Sequence, residues 1–317
     1  MTRMVPTIGA RKRRATAARQ HLGSPRRSNR RSWVGLGFVA PFLSVFALVF
    51  VAPIAYSGYL SLYRTRLIGG TTFVGVQNYA DVFGDTHFWS ALARVALFLL
   101  VQVPIMLVLA LAVALAVDSG RLYGAGVFRL SIFLPYAVPA VVAVLMWGFL
   151  YGPQFGLVAG LNRTYGWSIP NPLGPDLVLA SIGNVVTWSY VGYNMLIFFS
   201  ALRVVPLALY EAAAVDGASP WRVIWHVKLP AIRGSLVIAT IFSIIGSFQL
   251  FNEPAILRPL AMNAITTDYT PNLYAYFLSF SGQQYNYAAT VAIVMGAFTM
   301  VIAYLVQLRG MRGMGDR

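Results

Sequence analysis

Cysteine is absent from this 317-residue chain, and charged residues make up only 10% of it. Without cysteine there is no disulfide framework, no thiolate metal site and no cysteine nucleophile. A soluble domain carries about 25% charged residues. The three histidines, His21, His87 and His226, lie far apart and read as separate loop or surface residues, not as a metal site. No cluster of histidine and carboxylate groups offers the convergent side chains a membrane enzyme would need. A Gly-x-x-x-x-Gly-Lys-Ser/Thr phosphate loop is also missing, since neither Lys12 nor Lys228 sits in one. ATP hydrolysis, if used, must therefore belong to a partner. No metal and no cofactor is expected on this chain itself. No repeat of fixed period appears.

Apolar residues make up 58% of the sequence, with a mean hydropathy of +0.68. That composition reads as one polytopic membrane domain. The net charge of +15 resembles a nucleic-acid signal at first, but its distribution argues otherwise. Ten of the 24 basic residues precede Trp33. That tail has few apolar residues and no aromatic platform, which points to a disordered cytoplasmic segment touching anionic lipid headgroups, with no nucleic-acid partner.

A bilayer-crossing helix needs about 20 mostly apolar residues. Six stretches qualify: 33–62, 87–117, 127–151, 177–202, 231–257 and 287–308. The first is too long for a secretory signal and has no clear cleavage site, so it reads as an uncleaved helix. With both termini inside, inner segments hold nineteen Lys and Arg residues and outer loops hold four. That asymmetry sets the orientation. The outer loops, 64–86, 152–176 and 258–286, are rich in Gly, Pro and aromatic residues, and the last has room for a short re-entrant or interfacial helix. Pro135 and Pro139 should kink the third span.

The inner loop between the fourth and fifth spans is polar yet ordered in appearance. Pro206 begins a short helix over 207–215, and Gly217 supplies a sharp turn. Ser219 caps a second short helix with Pro220 at its first position, and Pro230 should stop it before the fifth span. From the residues alone, this hairpin fits either a docking element or an amphipathic segment lying on the membrane surface.

The run Tyr210-Glu211-Ala212-Ala213-Ala214-Val215-Asp216-Gly217, continuing to Leu229-Pro230, resembles the EAA motif of ABC-importer permeases. Phe133-Leu134-Pro135-Tyr136-Ala137-Val138-Pro139 and Ser247-Phe248-Gln249-Leu250-Phe251-Asn252 resemble the maltose-type sugar permeases of that family. The chain lacks that family's large insert between the first spans, and has Leu257-Arg258-Pro259-Leu260-Ala261 where many members carry Gly-Gly-Gly-Pro. The resemblance implies an all-α membrane protein with six transmembrane helices, in the type I importer architecture with a cytoplasmic coupling hairpin. The organisation expected is a basic tail over 1–32, a permease domain over 33–310 with the hairpin at 207–230, and a cytoplasmic C-terminal tail over 311–317.

Glu211, Ala212, Ala213, Asp216, Gly217, Leu229 and Pro230 are then the residues that engage an ATPase. The implied partners are a second homologous permease, two ATP-binding subunits that hold ATP and magnesium, and an extracytoplasmic sugar-binding protein. The implied place is a bacterial cytoplasmic membrane, and the implied function is import of a di- or oligosaccharide by a transport subunit that is not itself an enzyme. Polar residues in apolar spans are costly and mark candidate pathways. Ser189, Tyr190, Tyr193 and Asn194 of the fourth span qualify, as do Phe248, Gln249 and Asn252 of the fifth; packing between helices is their competing role. Glu253 is a further polar candidate of the fifth span, near its outer end, where solvation is its competing role. Alternatives are an ion-coupled secondary transporter, or a permease of the same kind for a polyol or other small solute.

Overall fold

The computed structural model describes residues 29–66, 68–120 and 122–315, with side chains placed between Leu36 and Gly310. Residues 1–28, most of the expected basic tail and its lipid contacts, lie outside the described residues. The chain divides into two compact units after Ala55.

The first unit is helical from Asn29, four residues earlier than the sequence suggested. Helix α1 (Asn29–Phe46) passes through a π turn (Ala47–Val51) into α2 (Ala52–Ser61). The Ala52 N–H bonds to the Ala47 carbonyl across the wide turn, and Pro53 follows without breaking the helix. Phe42, Phe46 and Phe50 stack in a row along it. Apolar side chains such as Phe38 and Leu48 are exposed, as suits a lipid-facing helix, where burial against protein supplies little driving force.

The second unit begins at Tyr56. Strands β1 (Tyr63–Arg66) and β2 (Gly70–Phe73) form an antiparallel hairpin inside the first expected outer loop. Gly69 and Gly70, both at positive φ, make its turn. Helix α3 (Gln77–Gly84) follows, then α4 (Thr86–Asp118). The third span is α5 (Ala125–Phe133), a 3-10 turn (Leu134–Ala137) and α6 (Ala140–Tyr151). Its halves are bent by 96°. Pro139 lacks an N–H and Val138 before it is extended, so the expected kink is a full break. After α7 (Leu157–Tyr165) comes α8 (Val178–Arg203).

The polar hairpin is α9 (Leu207–Val215) and α10 (Pro220–Val223). A π turn (Ile224–Lys228) then carries the chain without interruption into α11 (Leu229–Phe248). Pro230 therefore does not stop the helix. The Leu229 N–H reaches the Ile224 carbonyl across the wide turn, and this widened pairing just ahead of Pro230 accommodates a residue without an N–H inside a continuous helix. Helix α11 ends at Phe248, nine residues before the boundary expected at Leu257. The remainder is α12 (Asn252–Leu257), a 3-10 turn (Arg258–Leu260) and α13 (Pro271–Phe280), a short helix in the third loop expected outside, as the sequence allowed. Helix α14 (Tyr285–Gly315) runs into the expected C-terminal tail. Among the described residues, five helical stretches are long and apolar enough to cross a membrane, and the bent pair α5–α6 makes a sixth if it is one crossing.

Helix α4 lies at the centre of this unit. Ala110 and Ala114 give it a smooth face against Met195, Phe198 and Ile232 of α8 and α11. Phe88 and Val95 pack into a second core with α11 and α14. Close helix approach through small residues is how membrane helices gain dispersion contacts. Gly192 of α8 shows this most sharply, because an added Cβ would lie 2.0 Å from the Ile132 carbonyl oxygen.

Polar fasteners close the end of the unit opposite the hairpin. Asn78 is buried and fully used, donating to the Ser61 and Tyr63 carbonyls and accepting from Arg64. Asp85 caps α4 by accepting from the His87 N–H at 2.9 Å, and accepts from the Tyr274 and Tyr287 hydroxyls at 2.7 and 2.8 Å. Burial pushes its carboxyl up, but the bonds from Tyr274, Tyr287 and the His87 and Phe88 N–H groups outweigh burial and hold it below the ordinary range.

Candidate functional site

Two features stand out: a polar cavity inside the helices and the hairpin at one end. The cavity arises from the breaks in the third and fifth spans. Where α11 stops, its last carbonyls lose their helical partners. The Phe248 carbonyl accepts instead from Asn272 at 3.1 Å, and the Leu250 carbonyl from Thr270 at 3.0 Å. Side chains of the 258–286 connection thus satisfy the freed backbone, the condition for irregular chain inside a membrane protein.

A cavity of about 370 Å³ opens beside this break. Tyr190, Tyr193 and Asn194 of α8 line it, with Gln249 and Asn252 from the break. Five of the seven expected pathway residues are thereby brought together. Ser189 faces an adjoining cavity of about 300 Å³ that shares Tyr136, Tyr190 and Glu253. Phe248 does not line the central cavity. It is 4% exposed and packs in the core with Phe88, Val291 and Met295, because it sits on the side of α11 that faces α14. Asn194 lines the wall but spends its amide on the Tyr190 carbonyl at 3.0 Å and on the Met106 sulfur.

Sequence reasoning missed Phe98, Gln102 and Met106 of α4, Tyr136 of the bend, and Ser243 and Ser247 of α11, all in the same wall. Gln102 carried a usable signal, an amide in an apolar run; its Nε2 donates to Thr187 at 3.2 Å. Glu253, the further polar candidate of the fifth span, also lines the cavity.

Tyr136 stacks on Tyr193 with centroids 4.9 Å apart, and meets Tyr190 edge-on at 5.8 Å. The wall therefore joins aromatic faces to amides and hydroxyls. Such a surface stacks on a sugar ring while hydrogen-bonding its hydroxyls. Among the described residues no group of three or more His, Asp or Glu side chains is placed to hold a metal ion.

The hairpin takes its shape from local rules. The Gly217 N–H bonds to the Ala214 carbonyl and the Ala218 N–H to that of Ala213. That pattern needs a left-handed residue at the turn, and Gly217 has φ +66°. Ser219 accepts from the Arg222 N–H at 3.4 Å, with Pro220 in the first helical position. Glu211, Ala212, Asp216 and Gly217 are exposed, as is Val215 at 89%. Ala213 is half-buried, and Leu229 and Pro230 lie half-buried at the foot of α11. The seven residues of the motif thus split into a tip that a partner can reach and a base that belongs to the helix bundle.

The profile described as "Binding-protein-dependent transport system inner membrane component" matches residues 107–309. The lactose transport system permease protein LacF of Rhizobium radiobacter is 30% identical over 279 residues, covering 84% of this chain and 91% of that protein. The diacetylchitobiose uptake system permease protein NgcF of Streptomyces coelicolor is 30% identical over 325 residues, covering 96% and 90%. In fold, a chain of a bacterial ABC transporter involved in the import of the acidic polysaccharide alginate superposes with a TM-score of 0.78 at 18% identity, over 89% of this chain and 96% of that one.

Proposed function

Because the chain belongs to the family of binding-protein-dependent transport system inner membrane components, we propose that it forms half of the path by which an ATP-driven importer moves a di- or oligosaccharide. The observation that carries this reading is the cavity wall of Tyr136, Tyr190 and Tyr193 with Gln249 and Asn252, at the breaks of two spans. The cargo class is supported by relatives named for lactose and diacetylchitobiose, both disaccharides.

Both termini and the hairpin lie in the cytoplasm, following the surplus of basic residues on that side. The exposed tip at Glu211–Gly217 docks on one of two ATP-binding subunits, which hold ATP and magnesium. A second, homologous permease supplies the facing wall. An extracytoplasmic binding protein delivers the sugar to the opposite end. When the ATP-binding subunits close, the hairpins are drawn together and the helices change which side the cavity faces. A ligand shifts such an equilibrium only by its differential affinity for the two states, so the sugar-loaded binding protein must fit the ATP-bound form better.

The observation favouring an ion-coupled carrier is the Glu253 carboxylate in the cavity wall. Carriers of that kind use ionisable relays within their spans, and among the described residues no basic side chain lines the central cavity to continue one.

The test uses the complex purified with its ATPase. Replacing Glu211 by Lys together with Gly217 by Trp should abolish stimulation of ATP hydrolysis by the binding protein. Full stimulation in that double variant would remove the hairpin from the mechanism.

A further inference from the structure

The hairpin is continuous with α8 through residues 204–206 and with α11 through the π turn, but it has no chain connection to α4. It also stands off the ends of α4 and α8 across a cavity of about 620 Å³. An ion pair bridges that gap to α4. The Lys228 ammonium lies 2.5 Å from Oδ2 of Asp118, the last residue of α4. Both side chains are largely enclosed, at 14% and 10% exposure. The other ion pairs of the described residues, Arg64–Asp81 and His87–Asp268, lie at the opposite end and each has a partner at least 37% exposed. Lys228 also sits 5.6 Å from the centre of the Tyr210 ring, so one ammonium joins α4 to both arms of the hairpin.

Along the rest of its length α4 meets α8 and α11 through Ala110 and Ala114, with Leu107, Leu111 and Leu115 packed beside them, and through the Gln102–Thr187 hydrogen bond. The enclosed Asp118–Lys228 pair adds a directed contact between the end of α4 and the hairpin. Sliding would leave two poorly solvated charges apart, and breaking such a pair is strongly unfavourable. Gln102 lies sixteen residues from Asp118, about 24 Å along the helix at 1.5 Å per residue, and stands in the cavity wall.

We propose that Asp118 and Lys228 are positioning residues that fix the axial register of α4 to the hairpin, so that a displacement of the hairpin reaches the Phe98–Met106 wall of the cavity. The proposal rests on the permease reading above. In it the pair is a strut kept through the cycle, not a latch that opens.

The chain's lack of cysteine allows a direct test. Nitroxides are placed at Leu109→Cys on the exposed side of α4 and at Arg222→Cys on α10, in the complex with cysteine-free partners. Spin–spin distances are then recorded without nucleotide and after trapping with ATP and vanadate, alongside ATP hydrolysis. The strut predicts one unchanged distance in both states. D118N and K228M, which remove a charge and nearly keep shape, should each let the distance shift on trapping by about one helical turn, ~5 Å. The exchange D118K/K228D should restore the single distance, and D118E/K228R serves the same purpose if the exchange does not assemble. A wild-type complex that hydrolyses ATP and still changes this distance overturns the strut and leaves the permease reading intact. So does a D118N or K228M complex whose distance stays fixed. A chain that recruits no ATPase overturns the permease reading itself, and the strut with it.

Discussion

Replacing Gly192 by alanine tests how tightly the bent third span is held. A Cβ at that position would lie 2.0 Å from the Ile132 carbonyl oxygen, 2.7 Å from its carbon and 2.8 Å from the Phe133 Cα. All three are backbone atoms, so no side chain can swing away. Ordinary contact needs about 3.5 Å, which requires α8 and α5 to part by more than ~1 Å. A gap of that size forfeits a quarter to a half of each dispersion contact. Overpacking of this kind costs about 1–3 kcal/mol. The displacement falls on the chain just before Tyr136, which stacks on Tyr193 beside Gly192. Thermal unfolding of the complex in nanodiscs should therefore shift downward, and the half-saturating sugar-loaded binding protein concentration for uptake should rise. Gly296→Ala is the control, because nothing lies within 4 Å of its added Cβ; it should unfold at or above the wild-type temperature. Equal unfolding temperatures for Gly192→Ala and wild type would refute the packing argument.

Gly217→Val places a β-branched residue at φ +66°, a strain of about 1–2 kcal/mol, and should cut uptake by distorting the hairpin turn; uptake by intact cells checks it. Tyr136→Ala and Tyr193→Ala each remove a stacked ring worth about 0.5–1.5 kcal/mol. Each should weaken uptake two- to tenfold or so, read from concentration dependence in proteoliposomes. Asp85 has a lowered carboxyl pKa in the fold. Its stabilising contribution is complete above the ordinary aspartate value of about 3.9, and is lost as pH falls through the lower folded value. Unfolding temperature should drop on acidification below about pH 4 in wild type, and Asp85→Asn should flatten that drop.

The hairpin was the most legible part of the sequence because its rules are local. Pro206, Gly217 and Ser219-Pro220 each specify a backbone state within a few residues, and the structure shows each in that state. Pro230 misled because a π turn, which leaves no compositional mark, widens the helix ahead of it. The same device precedes Pro53. The β1–β2 hairpin was hidden because its four-residue strands lack hydrophobic alternation, and it is held by cross-strand contacts such as Tyr63 against Phe73 and Thr65 against Thr71. The cavity was half legible. Polar residues of the fourth and fifth spans announced themselves against apolar neighbours. Tyr136 and Gln102 reach the same wall only because a 96° bend and the α4–α8 packing bring them there. Phe248 shows the converse, since a one-residue step along a helix turns a side chain by about 100° and moves it from cavity to core.

Under the proposed function, sugar movement through this chain is driven by ATP on a separate subunit docked at the hairpin. Uptake of labelled sugar by cells carrying the complete transporter, measured under ATP depletion and separately with a protonophore at maintained ATP, tests it most directly. Uptake should stop with ATP depletion and continue with the protonophore. Uptake that survives ATP depletion and collapses with the protonophore would contradict it.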